Sequence, residues 1–501
     1  MRKINLLRWK IYDPINSRPG HQIVDFVIQK IQSCEARPGE RLPSQLAFSS
    51  LNHINSNTVK RAYANLLATG WLTTLPGSGT FVKRSGAENE DAFTSTGFVN
   101  EMPIVIERGP KVSEPSEMPV QNFTTVGLNT LNPYNYPERA MLKYRRMHRK
   151  RYENISQIDQ ITDFYGVAYK EAVRSYYNDC RDFKFNQECM DIVPGRKESL
   201  VRVIQTILNP GDCLVNTSSQ DLVLGNVLYA AEVRSQFLST MDNDFVEKLE
   251  DLVKVSEIKL LYLRPQCGYP ECNVLDAEKC ARVLELAKKY KFYILEEDDY
   301  HEFWYRQTPY KPLACYDHEG YVIYIGALSQ LSVYMRNTRV IGATKDFIDA
   351  MNAVPPKPCE FHDVLEENAI IEMIKSGDLW RYASEIRKIK EKDRDDLFWV
   401  LRNYLEDFME IQAPDSGLAF WIRFPDFSTL RESMNFLEKQ EINVPYNPGM
   451  SFNDPNACNM YLGFGTYNQE EAEVAAKLLK ERFENVLRNG FLGWLMMSVC
   501  C

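Results

Sequence analysis

Between residues 190 and 326, short apolar runs alternate with helical stretches, and that alternation limits the chain to one class of core. MDIVPG is followed by KESLVRVIQTILNPGD and then CLVNTS. Farther on come IKLLYLRP, DAEKCARVLELAKKYK, FYILEEDDY and YVIYIG. Short apolar runs separated by amphipathic segments read as strands joined by crossover helices. Strands connected in that way pair in parallel and are covered on both faces, so residues 119–490 are expected to build a parallel sheet under helices.

A chain of 501 residues exceeds one ordinary domain, and 44% hydrophobic residues suffice for a large core. No run of eighteen apolar residues occurs, so no membrane span is expected. The start, MRKINLLRWKIYD, lacks the long apolar core of a secretory signal. Residues 491–501 are apolar and read as a packing or frayed end. The twelve cysteines are scattered and form no CxxC pair. That spacing excludes the usual zinc sites, no metal is expected, and free thiols in a reducing compartment are the better reading.

Charge divides the chain. Residues 1–86 hold twelve Lys/Arg and four Asp/Glu, a balance of +8, whereas the remainder carries 47 basic and 64 acidic residues, a balance of −17. A small basic head on an acidic body is the asymmetry of a polyanion-binding module.

The head, residues 10–84, has matching punctuation. HQIVDFVIQKIQS shows one helical apolar face, and PGERLP ends it. Ser44 is placed to cap a second helix, QLAFSSL, and Asn55 to cap a third, SNTVKRAYANLLATG. WLTTLPGSGTFVKR then reads as strand, glycine-rich tip and strand. Helix, turn, helix and hairpin make a winged helix-turn-helix. Ser56, Asn57, Thr58, Lys60 and Arg61 stand at the start or on the outer face of the third helix, where they reach phosphates or base edges. Gly77, Ser78, Gly79 and Thr80 form a tip that backbone contacts can exploit.

PGERLPS, NTVKRAY and PGSGTFV, in that order, resemble the GntR family of bacterial regulators. The resemblance implies double-stranded DNA as partner. The chain departs from the family pattern at Leu46 and Ser56, where the family usually carries arginine. Residues 85–118, rich in Ser, Glu, Pro and Gly, read as a linker.

Three stretches of the body carry the chemistry. In ILEEDDYHEF, an acidic cluster follows an apolar strand, at the sheet edge where ligands bind. Asp298 and Tyr300 are spaced to face one ligand while Glu297 and Asp299 point away; a solvated acidic strand end is the other reading. In IVPGRKESL, Gly195 leads into a helix whose N-terminus, with Arg196 or Lys197, offers an anion site. In IYIGALSQLSVYMRNTRVIG, an apolar strand ends in a polar loop at Ser329 and Gln330. The run KYRRMHRKR, residues 143–151, reads either as a solvated helix face or as a rim meeting DNA beside the head.

With LNPGD and FYGVAYKEAVRSYY, these stretches resemble fold-type-I aminotransferases, and above all the aminotransferase-like half of MocR-type regulators, which join a GntR head to such a body. The resemblance implies pyridoxal 5′-phosphate, with Asp298 on the pyridine nitrogen, Tyr300 on the ring oxygen, and Gly195, Arg196, Lys197 and Ser329 around the rest. It places Gln330 where the Schiff-base lysine belongs. An amide has no nucleophilic amine, so covalent cofactor is not expected and the group is either held non-covalently or absent. Further departures fall at Arg196, at Asn216-Thr217-Ser218-Ser219, at Cys267 to Cys272, at Asn337, where Arg336 or Arg339 would have to substitute, and at Tyr461.

The expected molecule is therefore multidomain: a winged helix, an α/β fold-type-I body with a smaller C-terminal α/β subdomain, and no catalytic residue at 330. Its expected function is DNA-binding transcriptional regulation in a bacterial cytoplasm, as a homodimer sensing a small-molecule effector. A working aminotransferase fused to a winged helix is the alternative.

Overall fold

The computed structural model describes residues 9–11, 19–32, 36, 40–68, 71–75, 79–82, 98–104, 138–149, 166–218, 221–308, 310–353, 364–440, 442 and 458–499. The wing-tip residues Gly77 and Ser78, and Lys150 and Arg151 of the basic run, lie outside them.

In the head, α1 (Pro19–Gln32) opens on a proline, whose missing N–H has no intrahelical partner to lose in a first turn. α2 (Gln45–Asn52) is capped by Ser44, whose hydroxyl accepts from the Ala47 N–H at 3.1 Å. His53 ends it in the left-handed region, at φ 53°. Asn55 Oδ1 then accepts from the Asn57 N–H at 2.8 Å and starts α3 (Ser56–Ala68). β1 (Leu72–Leu75) and β2 (Gly79–Val82) pair antiparallel as the wing. Val59, Ala62, Tyr63 and Leu66 pack inward with Ile23, Val27 and Phe48, the face that helical spacing predicts. The buried Asn52 accepts from the Ile11 N–H at 2.7 Å and donates to the Trp9 carbonyl at 3.1 Å, so residues 9–11 belong to this core.

In the body, α4 (Glu138–Arg149) and α5 (Val167–Cys180) come first. The sheet then unfolds in sequence as β3 (Met190–Pro194), α6 (Arg196–Ile207), β4 (Cys213–Asn216), α7 (Leu222–Ala230), β5 (Arg234–Phe237) and α8 (Phe245–Val255). It continues as β6 (Ile258–Leu263), α9 (Ala277–Tyr290), β7 (Tyr293–Asp298), β8 (Val322–Ala327), α10 (Val333–Asn337), β9 (Thr338–Gly342) and α11 (Lys345–Asn352). Across the sheet the strands run β3-β9-β8-β7-β6-β4-β5. Pairings among β4 to β8 are parallel, as alternation predicts. β9 is antiparallel to both neighbours. Only residues 328–337 separate β8 from β9, which is shorter than the crossover of about a dozen or more residues that a parallel return needs.

Successive strand residues feed two apolar layers. Leu261, Leu263, Ile294 and Tyr324 face one, with Tyr177 and Phe292; Leu260, Tyr262, Leu295 and Ile323 face the other, with Val203 and Ile204. The smaller subdomain follows α12 (Val364–Ser376) and the long α13 (Asp378–Leu405). There β10 (Ala419–Arg423), α14 (Phe427–Lys439), β11 (Asn459–Gly463) and α15 (Gln469–Val499) form a second, antiparallel pair of strands with helices. α15 runs on into the apolar tail that begins at residue 491. In α4, Met141 and Tyr144 are buried, and the Tyr144 hydroxyl donates to Asp378 at 2.7 Å; Lys143, Arg146 and Arg149 are exposed. Among the described residues, no helix is long and apolar enough to cross a membrane.

Part of the expected linker is bound to the body. Phe98 stacks on Phe185 at 5.1 Å, the Asp346 N–H donates to the Asn100 carbonyl at 3.0 Å, and the Tyr293 hydroxyl donates to the Ile104 carbonyl at 3.0 Å. Composition marked 85–118 as polar and loose, yet Phe98 and Ile104 are apolar enough to anchor it. Gly342 makes this dock feasible: a Cβ there would lie 2.2 Å from the Phe185 ring and 3.2 Å from that of Phe98. Gly342→Ala is expected to destabilise the body by about 1–3 kcal/mol, as other overpacking does. A lowered urea midpoint and faster proteolysis near residues 98–104 are the expected readings; an unchanged midpoint would remove this packing from the account.

Candidate functional site

β7 ends in Glu296, Glu297 and Asp298, and all three carboxylates are buried. Strand alternation sends them to different partners. Glu296 accepts from the Leu313 and Ala314 N–H groups at 2.8 and 2.9 Å, and burial pushes its carboxyl up to about 8. Glu297 accepts from Arg196 Nε at 2.6 Å and Nη2 at 2.7 Å, from Arg339 Nη2 at 2.9 Å, and from the Tyr262 hydroxyl. Burial alone would raise that carboxyl; Arg196, with Arg264 and Arg339, overrides it and holds it well below the usual range.

Asp298, 3% exposed, pairs with Arg181 and accepts from the Tyr324 hydroxyl at 3.2 Å. The Arg181 guanidinium is enclosed by the rings of Tyr177, Phe183 and Tyr324, at 5.3, 5.2 and 5.8 Å from their centroids. Asp299 pairs with Arg339 and lies 3.4 Å from Arg264 and 3.8 Å from Arg196. Arg196 also forks onto Asp221, with Nη1 at 2.9 Å. Arg181, Arg196, Arg264 and Arg339 thus meet Asp221, Glu297, Asp298 and Asp299: four positive charges against four negative, a balance of zero.

The loop after β8 closes beside this network. Gln330, 8% exposed, donates through Nε2 to the Asp299 carbonyl at 2.7 Å. Its N–H donates to Glu302 at 2.7 Å, and the Ser329 hydroxyl donates to the other Glu302 oxygen at 2.5 Å. Burial pushes the Glu302 carboxyl up to about 7. Asn337 lends its carbonyl to the Gly195 N–H at 2.6 Å. Asn216 folds back on Ser218, accepting from its N–H at 2.8 Å. Tyr461 meets Tyr269 edge-on at 5.4 Å. Asp298 Oδ1, the Arg336 Nε and both His301 ring nitrogens are buried without a hydrogen-bond partner among the described residues.

Of the candidate ligand residues, Asp298, Arg196 and Ser329 are drawn into this one network, and Gly195 caps α6 beside it. Tyr300 is half-buried at its edge, with its carbonyl bonded by Gln266 Nε2 at 3.1 Å. Lys197 is exposed and takes no part. Glu297 and Asp299 pair with Arg196 and Arg339, whereas Asp298 pairs with Arg181, so the reading that the structure corrects is the solvated acidic strand end. Arg339 therefore cannot also serve as a free anion ligand. No sequence spacing announced Arg181 or Arg264, which reach the acids from separate elements. Among the described residues, no group of three or more His, Cys, Asp or Glu is gathered to hold a metal ion.

In the head, Asn55, Ser56, Asn57, Lys60 and Arg61 are exposed at the start and along the outer face of α3, and Thr58 is half-buried. Ser44 and Asn55 use side-chain oxygens as helix caps. Gly79 and Thr80 open β2. Gly79 has φ +124°, and a Cβ there would lie 2.7 Å from Arg41 Nε, which sets the exposed Arg41 against the base of the wing. Arg41 belongs to PGERLP, a segment that reads as a turn and gives no sign of this placement.

Residues 19–82 match the model of the bacterial regulatory proteins of the gntR family. The chain is similar along its length to the uncharacterized HTH-type transcriptional regulator YisV of Bacillus subtilis (22% identical over 465 residues, 92% of this chain and 95% of that protein). It is also similar to the probable rhizopine catabolism regulatory protein MocR of Rhizobium meliloti, at 23% identity over 490 residues, 95% of this chain and 94% of that protein. The kynurenine aminotransferase of Pyrococcus horikoshii, solved in complex with PMP, shares the body's fold with a TM-score of 0.63 at 21% identity, over 72% of this chain and 90% of that one. The chain joins a GntR-family head to an aminotransferase-like body. That is the architecture of MocR-type regulators, and the protein is a transcriptional regulator with an aminotransferase-like domain.

In this regulator the Arg181–Asp298 pair is testable by a double-mutant cycle. Arg181→Met leaves a buried carboxylate unpaired and is expected to destabilise by about 3–5 kcal/mol. Adding Asp298→Asn should recover much of that loss in urea titrations. Additive effects of the two substitutions would mean that the pair is not formed.

Proposed function

We propose that the body is a non-catalytic regulatory domain that dimerises, binds a reversible effector, and sets the DNA affinity of the head. The observation that carries this reading is Gln330, an amide tied to Asp299 and Glu302 beside a charge-balanced arginine network. A resident pyridoxal phosphate would need a lysine amine and cations for its phosphate. Here the amine is missing, and Arg196 and Arg339 are each bound by two carboxylates, which leaves Arg336, whose buried Nε has no hydrogen-bond partner among the described residues, as the remaining substitute for a phosphate ligand. The residues present do not fit that cofactor held through a Schiff base at residue 330.

Among the described residues, the buried Asp298 Oδ1 has no hydrogen-bond donor. We therefore assign the effector as a non-covalent molecule offering an N–H group, bounded by Asp298 and Tyr300. A ligand that favours one dimer arrangement over another suffices for regulation. The head reads DNA through Ser56, Asn57, Lys60 and Arg61 on α3, with Gly79, Thr80 and Arg41 at the wing, and a two-fold dimer presents two such heads to paired half-sites.

Incubation with pyridoxal phosphate followed by borohydride is expected to leave no pyridoxyl mass at residue 330 and no internal-aldimine absorbance. A stable adduct on another lysine of the body, with transamination, would establish the working-enzyme alternative instead.

Titration against the protein's own promoter region tests the head. Replacing Lys60 and Arg61 together by alanine should lower the slope of log affinity against log salt by about 1.8, at about 0.9 per phosphate contact. An unchanged slope would exclude α3 as the reading helix.

A further inference from the structure

We propose that the outer face of α4 is a second DNA contact, at which Lys143, Arg146 and Arg149 hold phosphates of the duplex flanking the site that the head reads. The inference deepens the regulatory reading above and rests on the head's binding of DNA.

α4 has two unlike faces. One is bound to the body: Met141 and Tyr144 are buried, and the Tyr144 hydroxyl donates to Asp378 at 2.7 Å. On that side Arg145 Nε lies 3.3 Å from Glu366, and Nε2 of the buried His148 lies 3.8 Å from Glu372. The basic side chains that reach α12 therefore meet acids there. Lys143, Arg146 and Arg149 turn the other way and are exposed. Among the described residues, none of these three has an acidic partner. Lys143 Nζ lies over the ring of Tyr144, 5.5 Å from its centroid.

The three cations recur every third residue, so they line one helix face and span about 9 Å at 1.5 Å per residue. Like charges at that spacing repel and weaken a helix. The helix dipole favours cations in the last turn, which accounts for Arg146 and Arg149 but not for Lys143. Other helices of the body set an acid one turn away from an exposed cation: Lys248 with Asp244, Lys254 with Asp251, Arg402 with Glu406 and Lys477 with Glu473. The single acid of α4, Glu138, stands at its first position, out of one-turn reach of all three. An uncompensated basic stripe is thus maintained on a part of the chain whose charge balance is −17.

Duplex DNA carries one charge per about 1.7 Å of its axis, so the stripe spans about five phosphate charges. Exposed Lys and Arg side chains suit such contacts, which position a duplex without reading its sequence. The head selects the polyanion. Once α3 engages its site, the flanking duplex is tethered to the same molecule at high effective concentration, and a membrane surface has no such delivery.

The test uses the full-length protein with two duplexes: a long fragment of its own promoter region, and the same site trimmed to the footprint of the head. Lys143→Gln, Arg146→Gln and Arg149→Gln are combined. All three side chains are exposed, so an unchanged urea midpoint is expected. On the long duplex, the slope of log affinity against log salt should fall by about 2.7 per protomer, at about 0.9 per phosphate contact; on the trimmed duplex it should stay as it is. Arg146→Lys with Arg149→Lys keeps the charges and should keep the long-duplex slope. Lys60→Ala with Arg61→Ala should lower the slope on both duplexes, so a failure of the head and a failure of α4 read differently. The proposal is overturned if the glutamine variant keeps the wild-type slope on the long duplex, or loses as much on the trimmed one. An unchanged DNA slope with lost binding to phosphatidylserine vesicles would assign the stripe to a membrane surface instead.

Discussion

The body depends on how Glu297 is held. Its carboxylate is buried at the end of the central strand β7, where an uncompensated charge would be costly by several kcal/mol. Arg196 reaches it from the first turn of α6 and Arg339 from the start of β9. Tyr262, on the adjacent strand β6, adds a hydroxyl. One side chain therefore ties four elements together, and Asp299 and Asp221 extend the tie to Arg264 and to the cap of α7. None of these ions is tolerable alone; they are tolerable because donors and acceptors match and the charges cancel. Such a network adds little net stability relative to an apolar core, but it strongly penalises any arrangement that separates its members.

That constraint shapes what this edge of the sheet can do. An anion-binding site needs cations whose hydrogen bonds are not already taken, and Arg196 and Arg339 each already hold two carboxylates. A phosphate binding at Arg196 would have to displace Asp221 or Glu297 from it, leaving a buried acid unmatched. The same holds for a ligand cation approaching Asp298, because Arg181 already lies against it inside three aromatic rings. What remains is directional: one oxygen of Asp298 that has no hydrogen-bond partner among the described residues. Recognition there must rest on hydrogen-bond geometry and shape more than on charge.

Much of the architecture was legible from the chain. Strand and helix periods, the Ser44 and Asn55 caps, and the inward face of α3 are local features, decided within a few residues. The direction of β9 was not read, because a short polar connection has no period and only its length distinguishes a hairpin-like return from a crossover. The dock of residues 98–104 was hidden by their polar neighbours. At the site, Asp298, Gln330 and Ser329 were visible because they punctuate a strand end. Arg181 and Arg264 were not, since their partners lie 117 and 35 residues away, and a long-range ion pair leaves no trace in local spacing.

Asp298 illustrates the limit of reasoning from a retained acid. Its presence at the strand end invites a ligand cation as the explanation, yet Arg181 supplies an internal reason to keep it: removing the acid would strand a buried guanidinium. Retention therefore carries no information about a ligand, and the open Oδ1 does. The distinction matters for regulation. Coupling free energies of about 1–3 kcal/mol are enough to shift a two-state regulator, and a single hydrogen bond contributes about 0.5–1.5 kcal/mol net. One well-directed N–H on Asp298 with modest apolar contact would reach that range. On the proposed regulatory reading, a non-covalent ligand thus suffices to bias the head, provided that its bond to Asp298 differs between the two arrangements.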